Sequence, residues 1–158
     1  MAVVDASVII VLGKSNALWL LRRLFGKVLI TSFVYGEMMT KADNEESKAL
    51  EEAVKEGWVV VKEASLGGDV LEKGESSSIW LAEKEKRILI VDDRKAAFIA
   101  STYEVKCHGT LYLVFLGMKK NIIKNKKEAV ALVSQLVSNG LYLGSDVLAE
   151  FYVLIEEM

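Results

Sequence analysis

The chain has 158 residues, of which 52% are hydrophobic and 27% charged, with 20 Lys+Arg against 22 Asp+Glu. That describes one globular domain able to bury its own core, and the near balance of charge argues against a constitutive nucleic-acid coat protein while allowing a nucleic-acid enzyme with a local basic rim. The single Cys107 excludes an intrachain disulfide, and neither a secretory leader nor an apolar stretch of the roughly 20 residues a membrane span needs is visible, so a cytoplasmic protein with no membrane association is expected. Proline is absent and Gln occurs once, while Lys and Glu are abundant; this leans toward a thermophile's composition.

In chain order, the apolar run Ala2–Val4 predicts a strand that stops at Asp5. A second strand is expected at Lys27–Ile30, followed by a helical segment starting near Ser32. Ser47–Glu56 places Ala49, Leu50, Ala53 and Val54 on one helical face and stops at Gly57, a plausible C-cap. Trp58–Val61 predicts a third strand. Glu75–Lys86 has helical spacing, with Ile79, Trp80 and Ala82 near one side. Ile88–Val91 is a fourth strand, Arg94–Tyr103 a helix with Ala96, Ala97 and Ala100 inward, and Val105–Cys107 a weak fifth strand. Leu111–Met118 is apolar nearly all round, as a core helix or one in a subunit contact would be. Asn125–Ser138 and Ser145–Glu157 read as amphipathic helices, with Ser145 as N-cap of the second. Short Val/Ile-rich strands alternating with helices predict an α/β fold with a central parallel sheet. The expected organisation is a single domain, 1–158, with residues 121–158 as a helical C-terminal extension.

Acidic residues fall at telling places. Asp5 ends the first strand, and Asp92 and Asp93 end the fourth. Glu37 and Glu75 lie in the opening stretches of helical segments. In an open parallel sheet, ligands bind beyond the carboxyl ends of the strands, where strand order reverses. Carboxylates meeting there disfavour each other's ionisation, and a divalent cation removes the repulsion. Mg²⁺ or Mn²⁺ suits an all-carboxylate site; the one His and one Cys, adjacent at Cys107-His108, argue against zinc. Such ions serve phosphoryl transfer and phosphodiester hydrolysis. Each acid also has a structural reading as a helix cap, a turn residue or a complement to a helix N-terminus. Ser7 reads as a local cap or as a partner of the first carboxylate. The structural readings weaken jointly, because four separate segments would each have to place an acid near the crevice.

The ordered pieces Val4-Asp5-Ala6-Ser7-Val8-Ile9, Val34-Tyr35-Gly36-Glu37, Gly74-Glu75-Ser76-Ser77-Ser78-Ile79-Trp80-Leu81-Ala82, Leu89-Ile90-Val91-Asp92-Asp93 and Cys107-His108-Gly109-Thr110-Leu111 resemble the PIN-domain nucleases, most closely a prokaryotic branch related to the VapC toxins. The resemblance covers residues 2–120. It implies a three-layer α/β/α PIN-like fold with C-terminal helices and metal-dependent endoribonuclease chemistry on an RNA substrate. It also implies an antitoxin partner and a homodimer. Carried over by position, Asp5, Glu37, Glu75 and Asp92 look like the metal-binding catalytic acids. Asp93 looks like a substitute or water ligand, and Ser7 orients the first carboxylate or a water. Three positions depart from the pattern: Thr31 replaces a proline, Ala97 an arginine and Tyr112 a small residue. The missing arginine bears on phosphate binding more than on metal binding.

Basic residues cluster at Lys14, Arg22, Arg23 and Lys27, and again at Lys119, Lys120, Lys124, Lys126 and Lys127. They read as solvated helix faces or as an electrostatic rim for an RNA backbone. His108 reads as a loop or partly buried residue and Cys107 as core. Trp19, Trp58 and Trp80 read as core or interface. Two competing functions remain. One is a catalytically silent PIN-like binding or assembly module. The other is a phosphatase of the haloacid-dehalogenase type or a phospho-receiver. The first of that pair expects an Asp where Ser7 stands, and the second expects its acidic pair early in the chain rather than at Asp92-Asp93.

Overall fold

The computed structural model describes residues 1–64 and 73–158. Its elements run β1 (Ala2–Val4), α1 (Ala6–Lys14), α2 (Trp19–Phe25), β2 (Val28–Thr31), α3 (Ser32–Met39), α4 (Glu45–Lys55), β3 (Val59–Lys62), α5 (Lys73–Glu85), β4 (Ile88–Ile90), α6 (Arg94–Thr102), β5 (Cys107–His108), α7 (Thr110–Lys119), α8 (Lys126–Ser138) and α9 (Ser145–Glu156). All strand pairs are parallel, in the order β3-β2-β1-β4-β5. The expected parallel α/β architecture is the one observed.

Successive side chains of a strand point to opposite faces, so one strand feeds two cores. Ala2, Val4, Val28, Ile30 and Ile90 enter the larger core. Val3, Leu29, Leu89 and Val91 enter the smaller one, with Ile79, Leu81 and Ala82 of α5 and Ala96 and Ala100 of α6. The sheet is thus the middle of three layers. This double burial is why the strands read as continuous apolar runs.

β1 is the centre strand, and it makes the crevice. The chain leaves β1 toward β2 and β3 on one side, then crosses to β4 and β5 on the other. The reversal falls between β1 and β4, where Val4 lies opposite Ile90. At such a switch point the carboxyl ends of neighbouring strands open a cleft, and Asp5 and Asp92 stand just past those ends.

Several boundaries differ from expectation for local reasons. α1 carries Val8, Ile9, Val11 and Leu12, all buried. It packs against α3, α4 and α8, so it has no polar stripe to reveal its helical period. The last helix is preceded by Gly144 as N-cap with no side-chain cap bond, not by Ser145, which is its first helical residue. Asn125 does cap α8, accepting from the Glu128 amide. β5 begins at Cys107, two residues later than expected, and Cys107 is only half-buried. Trp58 is core, whereas Trp19 is exposed. Gly57 follows α4 with a positive φ, as a C-terminal stop requires.

α7 is the expected buried helix. Leu113, Val114 and Gly117 are inside, and it packs against α2, α8 and α9. Ala129, Val133 and Leu136 of α8 and Phe151 and Ile155 of α9 join the same core as β1. The C-terminal helices are therefore continuous with the domain's main core. No helix among the described residues is long and apolar enough to cross a membrane.

The α1–α4 crossing depends on Gly13. A Cβ there would lie 2.6 Å from Glu46 Cβ and 2.9 Å from Glu46 Cα, so α4 would have to move. Gly13→Ala is expected to cost about 1–3 kcal/mol, the usual range for overpacking. Gly36→Ala, in α3 with nothing within 4 Å of the new methyl, is expected to be neutral or to stabilise by about 0.5–1 kcal/mol. Urea denaturation of the two variants beside the parent checks the contrast.

Candidate acid site at the strand ends

Asp5 is 2% exposed at the end of the centre strand. Its amide donates to the Ile90 carbonyl at 3.0 Å, extending the β1–β4 ladder by one bond. It stands at the N-cap position of α1, yet its side chain makes no capping hydrogen bond. Its carboxylate instead receives hydroxyls. Ser7 Oγ donates to Oδ2 at 3.2 Å, and Ser78 Oγ of α5 donates to Oδ1 at 3.3 Å. Among the described residues it has no Lys or Arg ion-pair partner. Burial raises the carboxyl above its ordinary value; the Ser7 hydroxyl, the nearby amides of Ala6 and Ser7 and the Ser78 hydroxyl pull it back only in part.

α5 brings Ser78 there by burying a run of small polar residues. Ser76, Ser77 and Ser78 are all inside. Ser77 Oγ and Thr31 Oγ1 lie 2.7 Å apart, and Thr31 Oγ1 also accepts from the Val34 amide at 3.1 Å as the cap of α3. Thr31 thus ties the end of β2 to both α3 and α5, work that proline could not do for lack of a hydroxyl. Glu75, half-buried in the first turn of α5, precedes Ser78 by three residues. Helical geometry puts the two on one face, so Glu75 shares the face that reaches Asp5.

The two adjacent aspartates have different partners. Asp93 is the N-cap of α6: its Oδ1 accepts from the amides of Lys95 at 2.8 Å and Ala96 at 3.2 Å. Asp92 is gripped across the β4–β5 edge. Its Oδ1 accepts from the Thr110 amide and its Oδ2 from Thr110 Oγ1, both at 2.7 Å. Gly109 makes this possible, since a Cβ there would lie 2.9 Å from Asp92 Oδ1. Each carboxylate oxygen of Asp92 keeps lone-pair capacity for another partner.

Glu37 is exposed on α3 and borders a different cavity of about 240 Å³, whose walls include Lys14, Lys41 and Glu46. Among the described residues, no group of three or more His, Cys, Asp and Glu side chains comes together in a way that could hold a metal ion. The structure thus brings Asp5, Ser7 and Ser78 together, and Asp92 with Thr110 at the neighbouring strand end. Ser78 and Thr110 were not singled out in the sequence. Their signals were a hydroxyl run directly after Glu75 and a Gly-Thr step directly after a strand.

A family model described as DUF3368: PIN domain matches residues 1–157. The chain belongs to the PIN-domain family. PIN domains are generally nucleases, and those nucleases generally use divalent metals. No curated protein matches the chain. Among solved structures, the PIN domain is similar to a PilT N-terminus domain protein from the hyperthermophilic archaeon Sulfolobus solfataricus P2, at 18% identity and a TM-score of 0.47, over 90% of this chain and 96% of the other.

The raised Asp5 value gives a sign to the pH dependence of stability. The folded PIN domain holds this proton more tightly than the unfolded chain. Stability therefore falls as pH rises from the ordinary carboxylate range through the raised value, then levels off. Asp5→Asn, melted in EDTA, is expected to be more stable than the parent at neutral pH, with the gap closing as pH falls below about 4. Thermal melts across pH 3–8 (about this span brackets the carboxylates) check it; a gap independent of pH would contradict the assignment. Asp93→Ala is expected to cost about 0.5–2 kcal/mol through loss of its cap, read in the same melts.

Proposed function

We propose that this PIN domain is a metal-dependent endoribonuclease that hydrolyses RNA phosphodiester bonds with Mg²⁺ or Mn²⁺. One observation carries the reading. The Asp5 carboxylate is nearly removed from water at the switch point, held by hydroxyl oxygens, with no cationic side chain paired to it among the described residues. A buried carboxylate in that setting is costly unless it is protonated or neutralised by a cation. The donors are all oxygen, which suits a hard divalent ion.

Asp5 would hold the ion, with Asp92, Glu75 and Glu37 as the other acids. Asp93 is the weaker candidate because one of its oxygens already caps α6. Glu37 has the least geometric support of the four, since it borders the separate cavity. An ion held there would supply a water of lowered pKa and would offset charge on the phosphate. The chain's own part is orientation. Ser7 and Ser78 fix Asp5 from two helices, and Thr110 fixes Asp92 through two bonds, so both carboxylates are aimed before any substrate arrives.

The reading extends to a toxin-like component of a toxin–antitoxin pair related to VapC, working in the cytoplasm as a homodimer with an antitoxin partner. Its support is the ordered set of motifs from Val4-Asp5 to Gly109-Thr110. A second reading, a catalytically silent PIN module for binding or assembly, draws its support from Ala97.

Purified parent and Asp5→Asn proteins, incubated with RNA and Mn²⁺, test the choice. The variant is expected to keep its fold by circular dichroism and to cleave slower by about 10²–10⁴-fold, the range for a positioned acid–base group. Equal cleavage by both, with contaminating nuclease excluded, would sink the catalytic reading. Absence of calorimetric Mn²⁺ binding at millimolar concentration would favour the silent module.

A further inference from the structure

A cavity of about 420 Å³ begins at Asp92 and Gly109 and runs outward beneath α9. Its volume lies within the range of small-ligand pockets. Tyr112 and Phe115 of α7 and Tyr142 of the α8–α9 connection give it aromatic walls, and Glu150 of α9 adds a carboxylate. Tyr142 is 87% exposed, so its ring takes little part in the core. The Tyr112 ring is fixed in plane by His108, stacked at 3.8 Å between centroids and 12° between planes. Burial, then Lys106, lowers the His108 value.

A cation stands near the connection that carries Tyr142. Arg94 opens α6 directly after Asp92-Asp93. Its Nη2 lies 3.7 Å from the place a Gly144 Cβ would take, two residues from Tyr142. It forms no ion pair among the described residues. The same Cβ position lies 2.7 Å from Asp146 Oδ1, so the guanidinium stands by the connection that carries Tyr142 and by the first turn of α9.

We propose that this cavity is a nucleobase subsite for single-stranded RNA, in which the base beside the scissile phosphate stacks on Tyr142 and Tyr112, Glu150 reads its edge, and Arg94 holds the adjoining phosphate. The proposal rests on the RNA-cleaving reading above. Its physical grounds are independent of the acids. Aromatic rings bind any base through its π-face, whereas a carboxylate accepts only N–H donors. Guanine is the favoured base, because its N1–H and N2–H₂ match two carboxylate oxygens. Arg94 offsets the repulsion of Asp92 and Glu150 toward the RNA chain, and supplies from the first turn of α6 the phosphate contact that Ala97 cannot make. Continuity with Asp92 favours a substrate base over a protein segment as the occupant.

The test uses fluorescein-labelled heptaribonucleotides, each varying one central base, titrated in anisotropy against protein carrying Asp5→Asn to prevent cleavage. Adding Tyr142→Ala is expected to weaken all four RNAs by about 5–100-fold. Adding Glu150→Gln is expected to remove a preference for guanine while leaving the other three bases unchanged. Arg94→Ala is expected to weaken every RNA and lower the salt dependence by about one phosphate contact. Unchanged affinity in Tyr142→Ala overturns the subsite, as does a guanine preference that survives Glu150→Gln. A shift from dimer to monomer in Tyr142→Ala by sedimentation, with RNA affinity intact, also overturns it and makes the groove a contact between copies. Cleavage by the parent with Mn²⁺ is scored separately. Parent cleavage with the same cut sites in Tyr142→Ala and Glu150→Gln overturns the subsite but not the nuclease. Base-dependent binding without parent cleavage supports the subsite and defeats the nuclease reading.

Discussion

A carboxylate taken out of water at the end of the central strand is the constraint around which this fold is arranged. Asp5 reaches that position because β1 is flanked on both sides, by β2 and by β4, and because its own amide continues the ladder to Ile90. An ionised group there loses its hydration and must find substitutes. Ser7 comes from the helix that follows β1. Ser78 comes from a helix far along the chain, which has to lie close over the strand ends. The small buried side chains Ser76, Ser77 and Ser78 permit that approach, and the Thr31–Ser77 contact locks it. The chemistry of one acid thus determines what α5 can be made of.

The other side of the crevice is governed by a corner rather than by a helix. Gly109 leaves room for Asp92, and Thr110 holds it with both amide and hydroxyl as α7 begins. The two carboxylates are therefore positioned by unrelated parts of the chain, one by side-chain hydroxyls from two helices and the other by a single residue at the sheet edge. Asp93, next door, serves α6. Adjacent identical residues have divided their partners, Asp92 taking Thr110 and Asp93 the first amides of α6, as successive side chains of extended backbone point to opposite sides.

The sheet was legible in the sequence because strands buried on both faces leave an apolar signature, and the helices from α4 onward were legible because most have one wet face. α1 was hidden for the opposite reason: Val8, Ile9, Val11 and Leu12 are all buried, and a helix surrounded by its neighbours shows no period. Asp5 and the Asp92-Asp93 pair stood out because an acid interrupting an apolar run is conspicuous. What could not be read was how the pair divides between the α6 cap and the grip of Thr110, since the second partner is distant in sequence. Ser78 was concealed likewise, its partner lying on another segment. Glu37 lines a cavity together with Lys14 and Lys41, a placement that its motif alone does not convey.

The parallel pairing of β1 with β4 also sets a schedule. Val4 is synthesised well before its partner Ile90, which emerges only after β2 and β3 have been made. Parallel pairs cannot close until the intervening crossover is complete, and at about 5–20 residues per second that wait lasts seconds. Ser78 arrives shortly before β4, and Thr110 later still. A nascent or truncated chain can therefore carry Asp5 for much of its synthesis without the groups that aim it. The order of the strands acts as a timer, keeping the crevice unassembled until β4 and the corner at Thr110 have been made.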